Sequence, residues 1–278
     1  MKKNLLRDVV ASAGNHSART EHIMKTKLLS LAFLAFLLSP AANAQTLDEI
    51  LTKIFLARGG MDRILSIDSE RISGHIAFGE ISGPFLVELK RPLKMHMQLT
   101  VQNMTMVRIY DGKSGWANNP FNGQANPDPM SEQDLKNINE EADFDGPLVD
   151  HEEKGNKVEL VGKEKFKDKD VWRLKLTTKN NDVRYYLYNA ESFLLLKWEG
   201  QRRYAGKELP VQTFFSDYRD VSGLRFPFEL DSGSSATDIT QRITIEKIEL
   251  NPDINDAEFA KPSTPPAPSS LTVTPKGR

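Results

Sequence analysis

The residues whose types and spacing bear most on chemistry in this chain are its carboxylates, histidines and methionines, and cysteine is absent. That absence excludes thiol nucleophiles, disulfides and a lipid-modified cysteine. His75, His96 and His151 are the histidines beyond residue 44. They fall on different predicted elements, and none has a partner at metal-ligand spacing. His96 lies on the polar face of an alternating segment, where a solvated or hydrogen-bonded role is expected. The sequence has no nucleophile elbow and no H-E-x-x-H pair. Carboxylates are plentiful, yet spacing singles out no acid–base pair.

Two local patterns come nearer to a ligand site. Glu141, Asp143, Asp145, Gly146, Leu148 and Glu152 occupy the first, third, fifth, sixth, eighth and twelfth places of a calcium loop. Glu in place of Asp at the start, Pro147 inside the loop and Gly155 after it argue for an acidic helix end running into a surface turn. Gly112-Lys113-Ser114 is similar to the end of a phosphate loop, but Val107 replaces the upstream glycine and no helix follows. Neither pattern leads us to expect a metal or a cofactor.

Methionine usage is more telling. Met95, Met97, Met104 and Met106 are four of the eight methionines and sit on two successive alternating segments. Methionine fills irregular apolar space and suits adaptable binding surfaces. Trp116, Trp172, Trp198 and the tyrosines of residues 183–188 pose the same choice between core and pocket. Burying a large apolar side chain contributes about 1.5–3 kcal/mol in either place. Periodicity alone does not separate the two uses.

The elements that must position these residues begin with a helix. Thr46 and Glu49 form a capping box, and Leu47, Ile50, Leu51, Ile54 and Phe55 make one apolar stripe ending at Gly59-Gly60. Strands are expected over 72–81, 85–89, 93–102 and 104–110, and a loop over 117–130. Ser131 caps a second helix, with Asp134 completing a capping box and Met130 stapled to Leu135. Its narrow stripe is Leu135, Ile138 and Ala142, and Gly146-Pro147 ends it. Strand patterns resume at 157–161 and continue at 171–179, 183–189, 193–204, 210–221, 224–230 and 239–250. Asn180-Asn181-Asp182, Ala190-Glu191-Ser192 and Ala205-Gly206-Lys207 are the intervening turns. Strands in this succession without helices between them predict an antiparallel meander. A single sheet that is apolar on both sides needs a cover on at least one of them.

The ends carry different signals. Residues 24–27 are basic, 28–38 are apolar, and Ala42-Asn43-Ala44 is a cleavage motif, so a signal peptide cut after Ala44 is expected. Residues 1–23 read as an upstream extension, with Met24 the expected initiator. Residues 1–44 hold six of the 37 Lys and Arg and two of the 38 Asp and Glu, which leaves residues 45–278 with a net charge of −5. An acidic exported chain without basic stripes is not expected to bind nucleic acid. Residues 263–278 read as a disordered Pro-rich tail.

Several short motifs, in order, carry a resemblance to a family. They are Ala57-Arg58-Gly59-Gly60, Tyr110-Asp111-Gly112 with Trp116, and the run from Ala142-Asp143-Phe144 through Leu148. Val161-Gly162-Lys163-Glu164, Asp217-Tyr218-Arg219 with Val221, Gly223 and Pro227, and Ile248-Glu249-Leu250-Asn251 with Phe259 and Pro262 complete the series. Over residues 46–262 the chain resembles the outer-membrane lipoprotein-sorting proteins, the LolA-like periplasmic carriers. The resemblance implies a mainly β fold with helices, an open antiparallel β half-barrel over residues 45–262 with an N-terminal helix and a helical lid. It implies an apolar cavity, for which the candidate lining residues are Met95, Met97, Leu99, Met104, Met106, Trp116, Leu135, Ile138, Tyr186 and Trp198. It also implies a non-enzymatic periplasmic protein that carries acyl chains of a lipid or lipoprotein. Its partners would be that cargo and transfer partners at the inner and outer membranes. The alternative from the same fold is an envelope-stress sensor, and a hydrolase is disfavoured for want of an acid–base pair.

Overall fold

The structure is a computed structural model and describes residues 45–79, 81–204, 207–234 and 240–262. The signal segment with its Ala44 site, the turn at 205–206 and the tail 263–278 lie outside the described residues.

The chain opens with α1 (Leu47–Arg58), whose capping box is complete. The Thr46 hydroxyl accepts from the Glu49 amide at 3.3 Å, and the Glu49 carboxylate accepts from the Thr46 amide at 3.1 Å. Two otherwise unpaired amides are satisfied this way. Ile50, Leu51 and Ile54 form the buried stripe. Gly59 ends the helix at φ 123°, and a Cβ there would fall 2.2 Å from the Gly223 carbonyl oxygen. Only glycine lets the chain turn there against its neighbour. A short α2 (Met61–Leu65) follows.

Thirteen strands then form one sheet among the described residues. They are β1 (Ser69–Phe78), β2 (Ile81–Lys90), β3 (Lys94–Val101), β4 (Met104–Tyr110), β5 (Gly115–Asn119) and β6 (Gln124–Pro129) before α3 (Glu132–Glu141). After it come β7 (Lys157–Phe166), β8 (Lys169–Thr177), β9 (Val183–Asn189), β10 (Leu195–Tyr204), β11 (Lys207–Val221), β12 (Leu224–Gly233) and β13 (Thr240–Leu250). Strands β1 to β6 form one antiparallel meander and β7 to β13 another, and pairing of β1 with β13 fuses them. The outer strands β6 and β7 do not pair, so the sheet stays open. The chain crosses from one open edge to the other through α3.

Register assigns the faces, because residues paired across antiparallel strands point the same way. Leu99 lies opposite Phe85 and Met106, and Ile72 lies opposite Val87 and Ile248. In the second meander, Tyr186 lies opposite Leu174 and Trp198. All of these share the face that carries the helices. The other face presents Arg242, Thr244 and Glu246 to solvent. The inner face is therefore largely apolar by alternation along the longer strands.

The structure departs from the sequence reading over 117–130, where β5, a 3-10 turn at Pro120–Asn122 and β6 replace the expected loop. This segment has no apolar alternation to betray it. Its order comes from buried Asn118, whose Oδ1 accepts from the Val107 amide at 2.5 Å. Asn118 Nδ2 donates to the Thr105 and Ala125 carbonyls, each at 3.1 Å. Capping of α3 also differs. The Ser131 hydroxyl accepts from the Asp134 amide at 3.2 Å, but Asp134 reaches back to that hydroxyl at 2.6 Å, so the box is half made. The aspartate side chain is one methylene shorter than the glutamate that closes the box at α1.

On the outer face, a 3-10 turn at Asp256–Phe259 packs beneath β3 and β4. Ile254 and Phe259 are buried there, at 3% and 1% exposure. Truncation after Pro262 should leave stability unchanged in urea denaturation. Truncation before Ile254 should lower it by roughly 3–6 kcal/mol, from the transfer of these two side chains.

Candidate functional site

The inner face divides into four apolar clusters. In the first, Ile50, Leu51 and Ile54 of α1 pack on Leu174, Leu176, Tyr186 and Tyr188. In the second, Ile138 and Ala142 seat α3 on Leu89, Met95 and Tyr110. In the third, Ile64 of α2 meets Ile67, Val149 and Leu224. The fourth consists of strand residues alone. Ile76, Phe85, Leu99 and Val101 form its buried base, and Ile72, Val87, Met97, Met106, Ile243 and Ile245 are half-buried around it. Among the described residues, no helix residue belongs to this fourth cluster, and only Val87 and Met97 at its edge also pack against the α3 cluster. It is an apolar floor on the same face as the two long helices.

The ten residues proposed from sequence are distributed across these clusters. Leu99 and Met106 belong to the uncovered floor, and Met97 lies at its border with the α3 cluster, half-buried against both. Met104 is half-buried opposite Val101, at the end of the β3–β4 hairpin. Met95, Leu135 and Ile138 pack together between α3 and the sheet, with Met95 and Ile138 buried. Tyr186 and Trp198 belong to the α1 cluster. Trp116 stands apart from the other nine. It lies opposite Ile109, and Ile109 lies opposite His96, so it is on the outer face. Five residues of β5 are too few to reveal which phase of alternation faces inward. Sequence reasoning missed Ile72, Phe85, Val87, Ile243 and Ile245. Their alternation was visible, but the pairing that sets β1 beside β13 has no local signal.

A row of cations holds α3 and the turn after it over the sheet. Arg108 of β4 reaches Glu141 at 2.5 Å, and Arg184 of β9 pairs with Glu140. The two arginines come from opposite halves of the sheet, so α3 is tied to both. Lys154 contacts both oxygens of Asp143 at 2.7 and 2.8 Å and also donates to the Gly146 carbonyl. Arg91 grips buried Asp145 through two bonds of 2.6 and 2.8 Å, and its guanidinium lies 4.8 Å from the Phe144 ring centre. Arg58 donates to the Asp145 carbonyl at 2.7 Å. Three of the four carboxylates at calcium-loop places, Glu141, Asp143 and Asp145, are thus engaged by basic side chains. Burial holds Asp143 above the usual carboxylate range, against the opposing pull of Lys154.

Glu70 sits beneath this latch. It is on the inner face, opposite Leu89 and Leu250, and is 5% exposed. Arg58 and Arg91 are nearby but committed to Asp145. Among the described residues, the Glu70 carboxyl makes no hydrogen bond or ion pair. Burial disfavours its charged form and pushes its pKa up to about 7.

The larger recesses lie elsewhere. One of about 380 Å³ is lined by Ala77, Gln212, Phe214, Asp231 and Arg242, and another of about 320 Å³ by Arg173, Tyr185, Glu199 and Gln212. These residues alternate with inward-facing ones, so both recesses open on the outer face. A third, of about 150 Å³, lies beside α3 and is lined by Leu93, Asn139, Glu140, Lys154, Thr178 and Arg184. It lies at the edge of the helix and has both polar and apolar walls.

No protein-family model matches the sequence, and no curated protein sequence matches it. Solved structures do. A LolA superfamily protein from Nitrosomonas europaea superposes with a TM-score of 0.55 at 17% identity, covering 78% of this chain and 99% of that one. A domain described as that of an outer membrane lipoprotein-sorting protein, from Vibrio parahaemolyticus, gives 0.49 at 13% identity, covering 77% and 95%. At these identities the likeness is one of fold. The chain has the LolA-type fold: an open antiparallel sheet carrying helices on its inner face.

The ionisation of Glu70 gives stability a definite pH dependence. Below its ordinary value of 4.5 the carboxyl is neutral in both folded and unfolded states. Between 4.5 and about 7 the unfolded chain releases this proton and the folded chain keeps it, so stability falls as pH rises and then levels off. Glu70→Gln should raise stability at pH above 7 by up to ~3 kcal/mol and leave it nearly unchanged at pH below 4.5. Urea denaturation of both proteins at the two pH values measures the difference.

Proposed function

We propose that this protein is a non-enzymatic periplasmic carrier that shelters an acyl chain of a lipid or lipoprotein on the uncovered floor beside α3. The observation that supports this most is the fourth cluster, whose cover is missing while its three neighbours each have one. An acyl chain supplies that cover, and each buried methylene contributes about 0.8 kcal/mol. Met97 and Met106 at the floor can adapt to a flexible chain better than branched side chains can. The likeness of fold to a LolA superfamily protein supports the same reading. So does the export signal over residues 24–44, which supports a periplasmic location.

In this reading α3 is the movable cover. It buries Ile138 fully and Leu135 in part, and its other ties to the sheet are a hydrogen bond from Asn139 to the Tyr110 hydroxyl and two partly exposed ion pairs. Such pairs are worth ~0–1 kcal/mol each, so the helix can shift while the sheet stays folded. Cargo would be received from one membrane partner and passed to another, with α3 displaced at each transfer.

Two substitutions on one strand test the proposal. Met97→Asp places a carboxylate on the open floor, where water can solvate it. The protein should fold, and its affinity for a fluorescent fatty-acyl probe should fall at least tenfold. Met95→Asp buries an unpaired carboxylate under α3 and should prevent folding. Wild-type protein that takes up no acyl probe, or folded Met97→Asp with undiminished uptake, would reject the floor as the binding surface.

A further inference from the structure

The outer face holds a cluster that the sequence gives no reason to expect. Glu88 of β2 lies directly opposite His96 of β3 in the register, and both are 5% exposed. Glu258, on the 3-10 turn at Asp256–Phe259, reaches the same point. His96 Nδ1 lies 3.3 Å from Glu88 Oε2 and 3.7 Å from Glu258 Oε2. One ligand atom from each of the three residues lies within 4.8 Å of the others. Residues 88, 96 and 258 have no metal-ligand spacing, so only the fold brings them together.

The geometry points to a divalent metal site, suited to Zn²⁺, formed by Glu88, His96 and Glu258. Zinc takes His nitrogen and carboxylate oxygen at 2.0–2.2 Å, so neighbouring ligands around it are separated by about 3.3–3.5 Å. The two distances from His96 bracket that range closely. A single Nδ1 can offer one proton, and two carboxylates face it. A cation between the three atoms serves both carboxylates and the imidazole at once.

The surroundings are those of a supported site. Arg71 Nε donates to Glu88 Oε1 at 2.8 Å, which leaves Oε2 for a metal. Gln98 lies 3.1 Å from His96 Nε2. With its amide turned to present oxygen, it would accept the Nε2 proton and fix the tautomer that coordinates through Nδ1. The turn bearing Glu258 is itself anchored. Lys90 and Lys94 contact Asp256 at 2.9 and 3.1 Å, and Phe259 is buried beside it. Glu258 is half exposed, which gives a path of entry and a place for water as fourth ligand. Occupancy would clamp the C-terminal turn to the strand that carries Met97 on its other side.

The test is zinc titration of the untagged full chain by calorimetry near neutral pH, beside Glu258→Gln and His96→Gln. Glu258→Gln changes an exposed side chain and should fold. We expect one zinc per chain in the wild type and a rise in Tm with added zinc, as binding to the native state alone requires. Affinity should fall at least ~tenfold in Glu258→Gln, and the zinc-dependent Tm rise should vanish in His96→Gln. Wild-type protein that takes up no zinc would overturn the proposal. So would undiminished binding by Glu258→Gln, which would place the ion on other histidines.

Discussion

The pairing of β1 with β13 is the constraint on which the inner face depends. It joins strands at opposite ends of the described chain, with Ile72 opposite Ile248 and Ile76 opposite Ile243. Without it the two meanders would be separate sheets, each too narrow to hold a groove. The uncovered floor draws Val87, Met97 and Met106 from one meander and Ile243 and Ile245 from the other. The register slips by one residue between Ser73 and Gly74. A Cβ on Gly74 would stand 2.1 Å from the Thr244 carbonyl oxygen, so the backbones meet there more closely than other residues permit. Such a bulge sharpens local twist and bends the strand. It falls beside the floor, where bending brings Phe85, Leu99 and Val101 close enough to bury one another without a helix.

Openness at the other end is the second constraint. A closed barrel would leave no edges, whereas this sheet ends at β6 and β7. Both edges are protected by composition. β6 carries Pro127 and Pro129, and β7 carries Lys157, Lys163 and Lys165. Proline and lysine discourage pairing with a further strand. The chain between these edges is α3 and its turn, tied by Arg108 to one half of the sheet and by Arg184 to the other. The helix therefore spans an opening that the strands leave unclosed. Arg91 fixes the far end of this span through buried Asp145, and loss of that cation would leave a buried charge uncompensated.

Much of the fold was legible because local rules agree with the tertiary structure. The capping box at Thr46, the alternation of Trp172, Leu174 and Leu176, and the Asn turn at Asn181 with φ 66° all express short-range physics. The proposed site was legible only in part. Met97, Leu99 and Met106 stand out by type and period, but Met95 has the same phase and is buried under α3, with Met97 at the border. Burial depends on where a helix lands, which period-2 alternation does not encode. Trp116 was assigned to the wrong face because β5 is short and its ladder partner lies on β4. The cations of the latch were invisible for another reason. Arg91, Arg108 and Arg184 read as ordinary polar positions until their carboxylates, Asp145, Glu141 and Glu140, are brought across the opening. The same holds for Glu88, His96 and Glu258, which meet only after folding.

The central claim is that the uncovered floor, rather than the outer recesses, receives an acyl chain. Photo-crosslinking with a diazirine fatty acid, followed by peptide mass spectrometry, tests this most directly. The account predicts labels on the inward residues of β1–β4 and β13, including Met97, Met106, Ile243 and Ile245. Labels confined to the outer recess at Gln212, Phe214 and Arg242, or no saturable labelling at all, would contradict it.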